Sequence, residues 1–335
     1  MSMDFVRFVQ LLGRGKRGAR PLTAEEAELA MGMLLRGEVA PEQEGAFWML
    51  IRIREETVDE TLGFTRAVRQ YLTESISLTG VDIDWPAYAG KRSELPWFLL
   101  AALALVDSGY KIVMHGHSFA NEDRVYVDEF VSALGLSTLT DLSQQDAEAM
   151  LSKDGFLYAP LSSVSKRLAQ MMDLKLTLGL RSPVNTVVRM MNPFNAKHSV
   201  HGVFHKGYDD LHAQACLQLK DPSVLIFRGG NGEAEINPER DVTLARVSNG
   251  VLSWEKWNRF EYDHTRNKNN LSVNRLINHW TGLTTDPFGE KAVLQTMAGV
   301  LGLVHNETDQ LHCLHLAEML WQSRSRDLKV LCDVF

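Results

Sequence analysis

Seven lysines and arginines, three histidines and a single acid fall between Ser163 and Lys206, in a chain whose formal charge is −7. The cations are Lys166, Arg167, Lys175, Arg181, Arg189, Lys197 and Lys206; the acid is Asp173; the histidines are His198, His201 and His205. Concentrated positive charge attracts phosphate, through charge-assisted hydrogen bonds and through release of counterions from a polyanion. With one acid in the segment, ion pairs within it cannot absorb the charge, which predicts a groove for polyanions rather than a solvated helix face.

Three further stretches could handle anions. Arg14, Lys16, Arg17 and Arg20 lie in a glycine-interrupted loop with no acid between Asp4 and Glu25. Such a loop can wrap a phosphate backbone or simply solubilise the chain end. Gly90-Lys91-Arg92 is either an anion-binding turn or a basic turn at a domain boundary. Arg228-Gly229-Gly230-Asn231-Gly232-Glu233 leaves an apolar run, the favoured ligand position of an α/β sheet, without a complete phosphate fingerprint. A fourth region, with Arg259, Arg266, Lys268, Arg275, Tyr262, Asn267, Asn269 and Asn270, could grip single strands. Its acids Glu261 and Asp263 favour an irregular surface loop instead. The histidines have helix-like spacing broken by Gly202, and no carboxylate or cysteine nearby completes a zinc set. His312-Cys313-Leu314-His315 reads as part of a packed helix.

These residues need a scaffold. Asp4–Leu12 is amphipathic at helical spacing. Thr23 and Glu26 form a capping box, Pro41 starts a third helix, and Thr57 with Glu60 opens a fourth. The character changes near residue 81. Val81–Asp84, Lys111–Met114 and Ser223–Phe227 are short apolar runs of the kind buried on both faces of a parallel sheet. The apolar helix Trp97–Asp107 precedes the second of them. Val242–Val247 and Val251–Trp254 flank Ser248-Asn249-Gly250 and predict a hairpin. Lys291–Leu301 and Thr308–Ser323 read as closing helices. No internal repeat is visible.

Bulk composition sets the class. The 335 residues are 45% apolar, which suits a globular core. The longest apolar run, Leu95–Val106, is shorter than the roughly 20 residues a bilayer requires. Cys216, Cys313 and Cys332 are too few and too far apart for a disulfide framework. The N-terminal segment lacks a secretory pattern, so the expected location is cytoplasmic.

Several segments, in order and at matching spacing, resemble the anthranilate phosphoribosyltransferase family. They are Leu22–Ala27, Gly37-Glu38, Gln43–Phe47 and Glu56–Gly63 in the first helices, then Met114-His115-Gly116, Leu178–Ser182 with Asn192-Pro193, and Arg228–Glu235. The resemblance implies a small helical domain packed on a mainly parallel α/β domain, with the ligand cleft between them and a homodimer through the helical domain. On that pattern residues 1–80 form the helical domain, with helices from about 165–192 packing on it. Residues 81–164 and 193–335 form the α/β domain.

The departures from the family are concentrated at the ligands of phosphoribosyl diphosphate. Where the family has a GTGGD loop that cradles the diphosphate, this chain has Trp85–Arg92, with Gly90 its one glycine, Pro86 lacking an N–H, and a bulky Tyr88. Met114 replaces the lysine of Lys-His-Gly. Ala234-Glu235 replaces the acidic pair that holds magnesium. Lys175 falls where the family has an arginine that contacts anthranilate. Arg189 and Arg228 replace neutral or neutral-capable residues. These replaced motifs resemble a divergent branch of the family whose members are regarded as nucleic-acid-binding proteins. The expectation is therefore a homodimeric, sequence-independent nucleic-acid binder, DNA or RNA, single- or double-stranded, without metal or cofactor. Its contacts would come from Lys16, Arg17, Arg20, Lys91, Arg92, Lys166, Arg167, Lys175, Arg181, Arg189, Lys197 and Lys206. Gly90, Met114, His115, Gly116, Arg228 and Glu235 would mark the former diphosphate site, with no catalytic residues. The alternative is a phosphoribosyltransferase that uses phosphoribosyl diphosphate and magnesium with an altered acceptor.

Overall fold

The computed structural model describes residues 4–15, 17–73, 78–119, 123–140, 144–260 and 270–327. Four helices lead: α1 (Val6–Gly13), α2 (Ala24–Leu35), α3 (Pro41–Arg54) and α4 (Val58–Thr73). Their starts follow from local chemistry. Thr23 Oγ accepts from the Glu26 N–H while Glu26 accepts from the Thr23 N–H, and Thr57 and Glu60 repeat the exchange. Phe5, Phe8, Phe47, Trp48 and Phe64 stack edge to face in the centre of this bundle.

The remainder builds one seven-stranded sheet. In chain order the strands and helices are β1 (Ile83–Ala87), α5 (Trp97–Asp107), β2 (Ile112–Gly116), α6 (Val127–Ala133), α7 (Gln144–Asp154), β3 (Phe156–Pro160), α8 (Leu161–Val164), α9 (Lys166–Leu178), α10 (Val184–Val187) and β4 (His198–Val203). Then follow α11 (Tyr208–Leu219), β5 (Ser223–Arg228), β6 (Val242–Ser248), β7 (Val251–Trp257), α12 (Val273–Thr281), α13 (Pro287–His305) and α14 (Gln310–Ser323). Strand order is β3-β2-β1-β4-β5-β6-β7; the first five are parallel, and β6 and β7 run antiparallel. The hairpin forms where expected, with Asn249 and Gly250 both at positive φ. Among the described residues no helix is long and apolar enough to cross a membrane.

The order reverses between β1 and β4, so the loops leaving these two strands diverge and open a crevice, the favoured ligand position of such sheets. Pro86 widens it. Ile83 N–H bonds to the β2 side, and alternation turns Pro86, which has no N–H, toward β4. Pairing with β4 stops two residues earlier, at Asp84↔Ser199. The segment from α8 to Ala196 packs on the helical bundle: Leu168, Met171, Met172, Val184 and Val187 share its core with Phe47 and Trp48.

Two strands escape sequence reading. β3 is a run of only five residues, although Asp154-Gly155, with Gly155 at φ 67°, marks a turn directly before it. β4 reads HSVHGV, and its histidines mimic helical spacing. In a strand, residues three apart face opposite sides. His201 is accordingly buried against α11, while His198 is half-buried with Nδ1 2.8 Å from Ser223 Oγ. His205 lies in the loop beyond the strand.

Candidate functional site

A cavity of about 270 Å³ sits at the β1/β4 crevice, beneath the helical bundle. Its floor is Ala89 from the loop after β1, Val203 at the end of β4 with Phe204 and His205 just beyond it, and Asn231-Gly232 from the loop after β5. Its roof is Arg52 of α3, Glu56, and the Arg181–Arg189 segment with Asn185 and Thr186. Arg124 closes one side, and Tyr208 and His212 of α11 another.

The lining is cationic: Arg52, Arg124, Arg181 and Arg189 face Glu56, the one carboxylate among its described residues. Burial and the neighbouring Arg181 and Arg92 push the Lys175 ammonium down to about 8. Burial lowers Arg124 too, and the same two arginines add to the effect. Arg189 is brought down to about 10, chiefly by burial, with Glu233 opposing. Its guanidinium lies over the Tyr88 ring, 5.7 Å from the centroid, and donates to Asn185 O. Positive groups that depress one another in this way stand to gain from an anion between them.

The loop after β1 is arranged in the opposite sense. Glu233 Oε1 accepts from the amides of both Ala89, at 2.8 Å, and Gly90. Arg124 takes the carbonyls of the same two residues, at 2.8 and 3.0 Å. Lys91 is buried in an ion pair with Glu235, whose other oxygen accepts from Phe98 N–H in the first turn of α5, at 3.0 Å. Beneath the loop, Tyr88 hydroxyl lies 2.7 Å from His115 Nδ1, and His115 Nε2 lies 3.0 Å from Asp84. All three are buried. Gly90 has φ +68°, and a Cβ there would sit 2.9 Å from Tyr126, so the turn admits only glycine.

The fates of the sequence-predicted residues differ. Arg181 and Arg189 line the cavity; Arg92 and Lys175 do not, but lie near enough to Arg181 and Arg124 for their charges to act on one another. Lys197 precedes β4, at the far end of the sheet, and pairs with Asp82 at 2.8 Å. Arg167 binds Leu34 O at 2.8 Å and Glu44 at 2.7 Å, tying α9 to the helical bundle. Arg20 forms a two-pronged pair with Glu26, holding that carboxyl down to about 2. Arg17, Lys166 and Lys206 are exposed. Lys16 lies outside the described residues, as do Tyr262, Arg266, Lys268 and Cys332. Arg275 is no strand-gripping cation, for it pairs with Asp286 at 2.5 Å over the face of Trp97. Of the former diphosphate positions, Met114 and His115 are buried in β2, and Gly116 closes that strand. Arg228 is exposed, 3.7 Å from Asp209. Among the described residues no three His, Cys, Asp or Glu side chains form a metal-binding group.

Sequence reading missed Arg52, Arg124 and Glu233. For Glu233 a signal existed: it stands where the family segment has leucine, two places before Glu235. The arginines are isolated in sequence and gave none.

Comparison with known proteins gives a consistent result. Residues 9–72 match the glycosyl transferase family helical bundle domain. The chain is 31% identical over 246 residues to anthranilate phosphoribosyltransferase of Geobacillus kaustophilus, covering 72% of this chain and 70% of that one. It is 26% identical over 242 residues to the uncharacterized protein YbiB of Escherichia coli K12, covering 71% and 74%. In structure it is similar to anthranilate phosphoribosyltransferase from Thermus thermophilus, with TM-score 0.78 over 99% of this chain and 98% of that one, at 18% identity. The two anthranilate phosphoribosyltransferases among these relatives correct the expectation of a nucleic-acid binder, because they are enzymes that handle a phosphoribosyl group. The physical reason is visible in the charges. The basic stretch lacks local acids, yet Glu44 and Asp82 arrive from distant segments and neutralise Arg167 and Lys197, while Glu235 does the same for Lys91 of the β1 loop. Of the basic stretch, Arg181 and Arg189 line a cavity, together with Arg52 and Arg124, while Lys166 and Lys206 stand apart on the surface, so the cations form no continuous long groove. The helical bundle, the parallel sheet with its crevice and the extent of these matches establish that the chain belongs to the anthranilate phosphoribosyltransferase family.

Proposed function

We propose that the chain is a pentosyltransferase-type enzyme that takes a phosphorylated ribose donor into the interdomain cavity, with an acceptor other than anthranilate. The observation that carries this reading is the convergence of Arg124, Arg181 and Arg189 on the cavity at the β1/β4 switch point. Arginines suit phosphate because their fork of N–H donors matches its oxygens. They also stabilise the charge that develops as a phosphate leaving group departs from the sugar carbon. The acceptor side differs from the family's, since Lys175 replaces its arginine. Phe204, His205 and Tyr208 offer an aromatic wall, with ring centroids 5.0 and 6.0 Å apart. Such a wall suits a planar acceptor.

Magnesium is the family's usual companion for the donor, and the carboxylates here do not fit it. Glu233 Oε1 is committed to two backbone amides, its Oε2 being buried without a hydrogen bond, and Glu235 is committed to Lys91 and Phe98. Calorimetric titration with phosphoribosyl diphosphate and with ribose 5-phosphate tests the reading: saturable binding that Arg181→Ala weakens supports it, and absence of binding by both removes it.

Self-association through the helical bundle belongs to the same proposal. Half-exposed Leu29 borders a groove with Gly32, Leu35 and Ala67 on the α2–α4 face. Sedimentation of the wild type and of Leu29→Glu tests it, with a dimer expected only for the wild type.

A further inference from the structure

We infer that this cavity holds its phosphorylated ligand without a divalent cation, the chain's own carboxylates having become fixed parts of the loop that a metal–diphosphate would need. The inference rests on the pentosyl-donor reading above and specifies the form of ligand that the site takes.

A magnesium ion bridging a diphosphate requires carboxylate oxygens that face the ligand. Glu56 is the one such group among the described lining residues. Each of its oxygens already accepts one hydrogen bond, from Thr186 Oγ at 2.5 Å and from Tyr208 hydroxyl at 3.1 Å, and one such carboxylate is fewer than a metal–diphosphate complex needs. Glu233 and Glu235 lie behind the floor, each 2% exposed or less. Releasing Glu233 would strip Ala89 and Gly90 of their acceptor, and releasing Glu235 would leave Lys91 buried and unpaired. Either loss is costly in a buried setting.

The segment that carries these acids is held by backbone packing. A Cβ on Gly202 of β4 would lie 2.3 Å from Ala234 N and from the Glu233 carbonyl carbon. A Cβ on Gly229 would lie 1.7 Å from Glu233 O. Glycine at both positions lets main chain lie on main chain, so the backbone that carries the acids cannot shift toward the cavity without separating β4 from the β5 loop.

Charge leads to the same conclusion. Arg52, Arg124, Arg181 and Arg189 already exceed the charge of a phosphate dianion, and burial, followed by Arg181 and Arg92, lowers the Lys175 ammonium. A divalent cation would add repulsion where an anion alone relieves it. The site thus fits a phosphate monoester, or a diphosphate bound by guanidinium groups.

The test is calorimetry on the full chain with ribose 5-phosphate and phosphoribosyl diphosphate, each in excess Mg²⁺ and in EDTA. The expected result is saturable binding whose Kd differs by less than about threefold between the two buffers. Binding seen only with Mg²⁺ overturns this inference and leaves the donor reading intact; no binding in either buffer overturns both. Glu233→Gln provides an independent arm, because an amide keeps the shape and one acceptor but cannot serve a metal well. Unchanged affinity supports the inference, and loss of affinity that excess Mg²⁺ restores opposes it. If that variant does not fold, the wild-type titrations decide alone.

Discussion

The loop after β1 and the wall of the cavity opposite it are both rich in basic residues, yet they use their charge in contrary ways. In the loop, Lys91 is sealed against Glu235, and the amides of Ala89 and Gly90 are sealed against Glu233. On the wall, Arg52, Arg181 and Arg189 line a space that a ligand can fill, with Lys175 close to Arg181. The first region uses its charge to hold the fold; on the reading proposed above, the second offers its charge to a ligand. Burial with a counter-ion makes a cation structural; burial beside other cations makes it a receptor for an anion.

The strongest way to break this contrast is Lys91→Ala. It leaves Glu235 buried without its cation, and removing one partner of such a pair costs roughly 3–5 kcal/mol. Denaturant unfolding should show a loss of that order, and Lys91→Met with Glu235→Leu should recover much of it. A change below about 1 kcal/mol, the scale of an exposed pair, would show that Lys91 is not structural.

Arg181→Ala attacks the other side. A charge-assisted hydrogen bond contributes about 1.5–3 kcal/mol, so affinity for ribose 5-phosphate should fall about ten- to hundredfold while the unfolding midpoint barely moves. A stability loss as large as that of Lys91→Ala would erase the distinction between loop and wall.

A smaller, pH-dependent effect sharpens it. Lys175 titrates near 8 in the ligand-free protein, and a bound anion raises that value. Binding therefore takes up a proton above about pH 8. Affinity should be flat from pH 7 to 8 and then fall a few-fold as the lysine deprotonates. Lys175→Met should be weaker below pH 8 and lack the decline, as calorimetry across pH 7–10 would show. The smallest effect belongs to Lys197→Ala. Its pair with Asp82 is exposed and lies at the far end of the sheet, so stability should change by less than about 1 kcal/mol and ligand affinity not at all.

Local chemistry made much of the fold legible in the sequence. The capping boxes at Thr23 and Thr57, Pro41 at a helix start, the apolar Trp97–Asp107 helix and the Asn249-Gly250 turn each act within a few residues, and each formed as read. β4 was illegible because a six-residue strand with histidines three apart carries the same pattern as a helix. For the site, the segment Arg181–Arg189 and the turn at Gly90 were visible, but their roles were not. The partners that assign those roles lie far away along the chain: Glu235 is 144 residues from Lys91, Glu44 is 123 from Arg167, and Asp82 is 115 from Lys197.

By itself, then, the sequence determined the helices and their caps, the family to which the chain belongs and the presence of surplus positive charge. Only the tertiary structure decided which of those charges are cancelled and which remain. A charge is cancelled by whichever acid lies within a few ångströms, and that neighbour is set by how the sheet and the helical bundle come together.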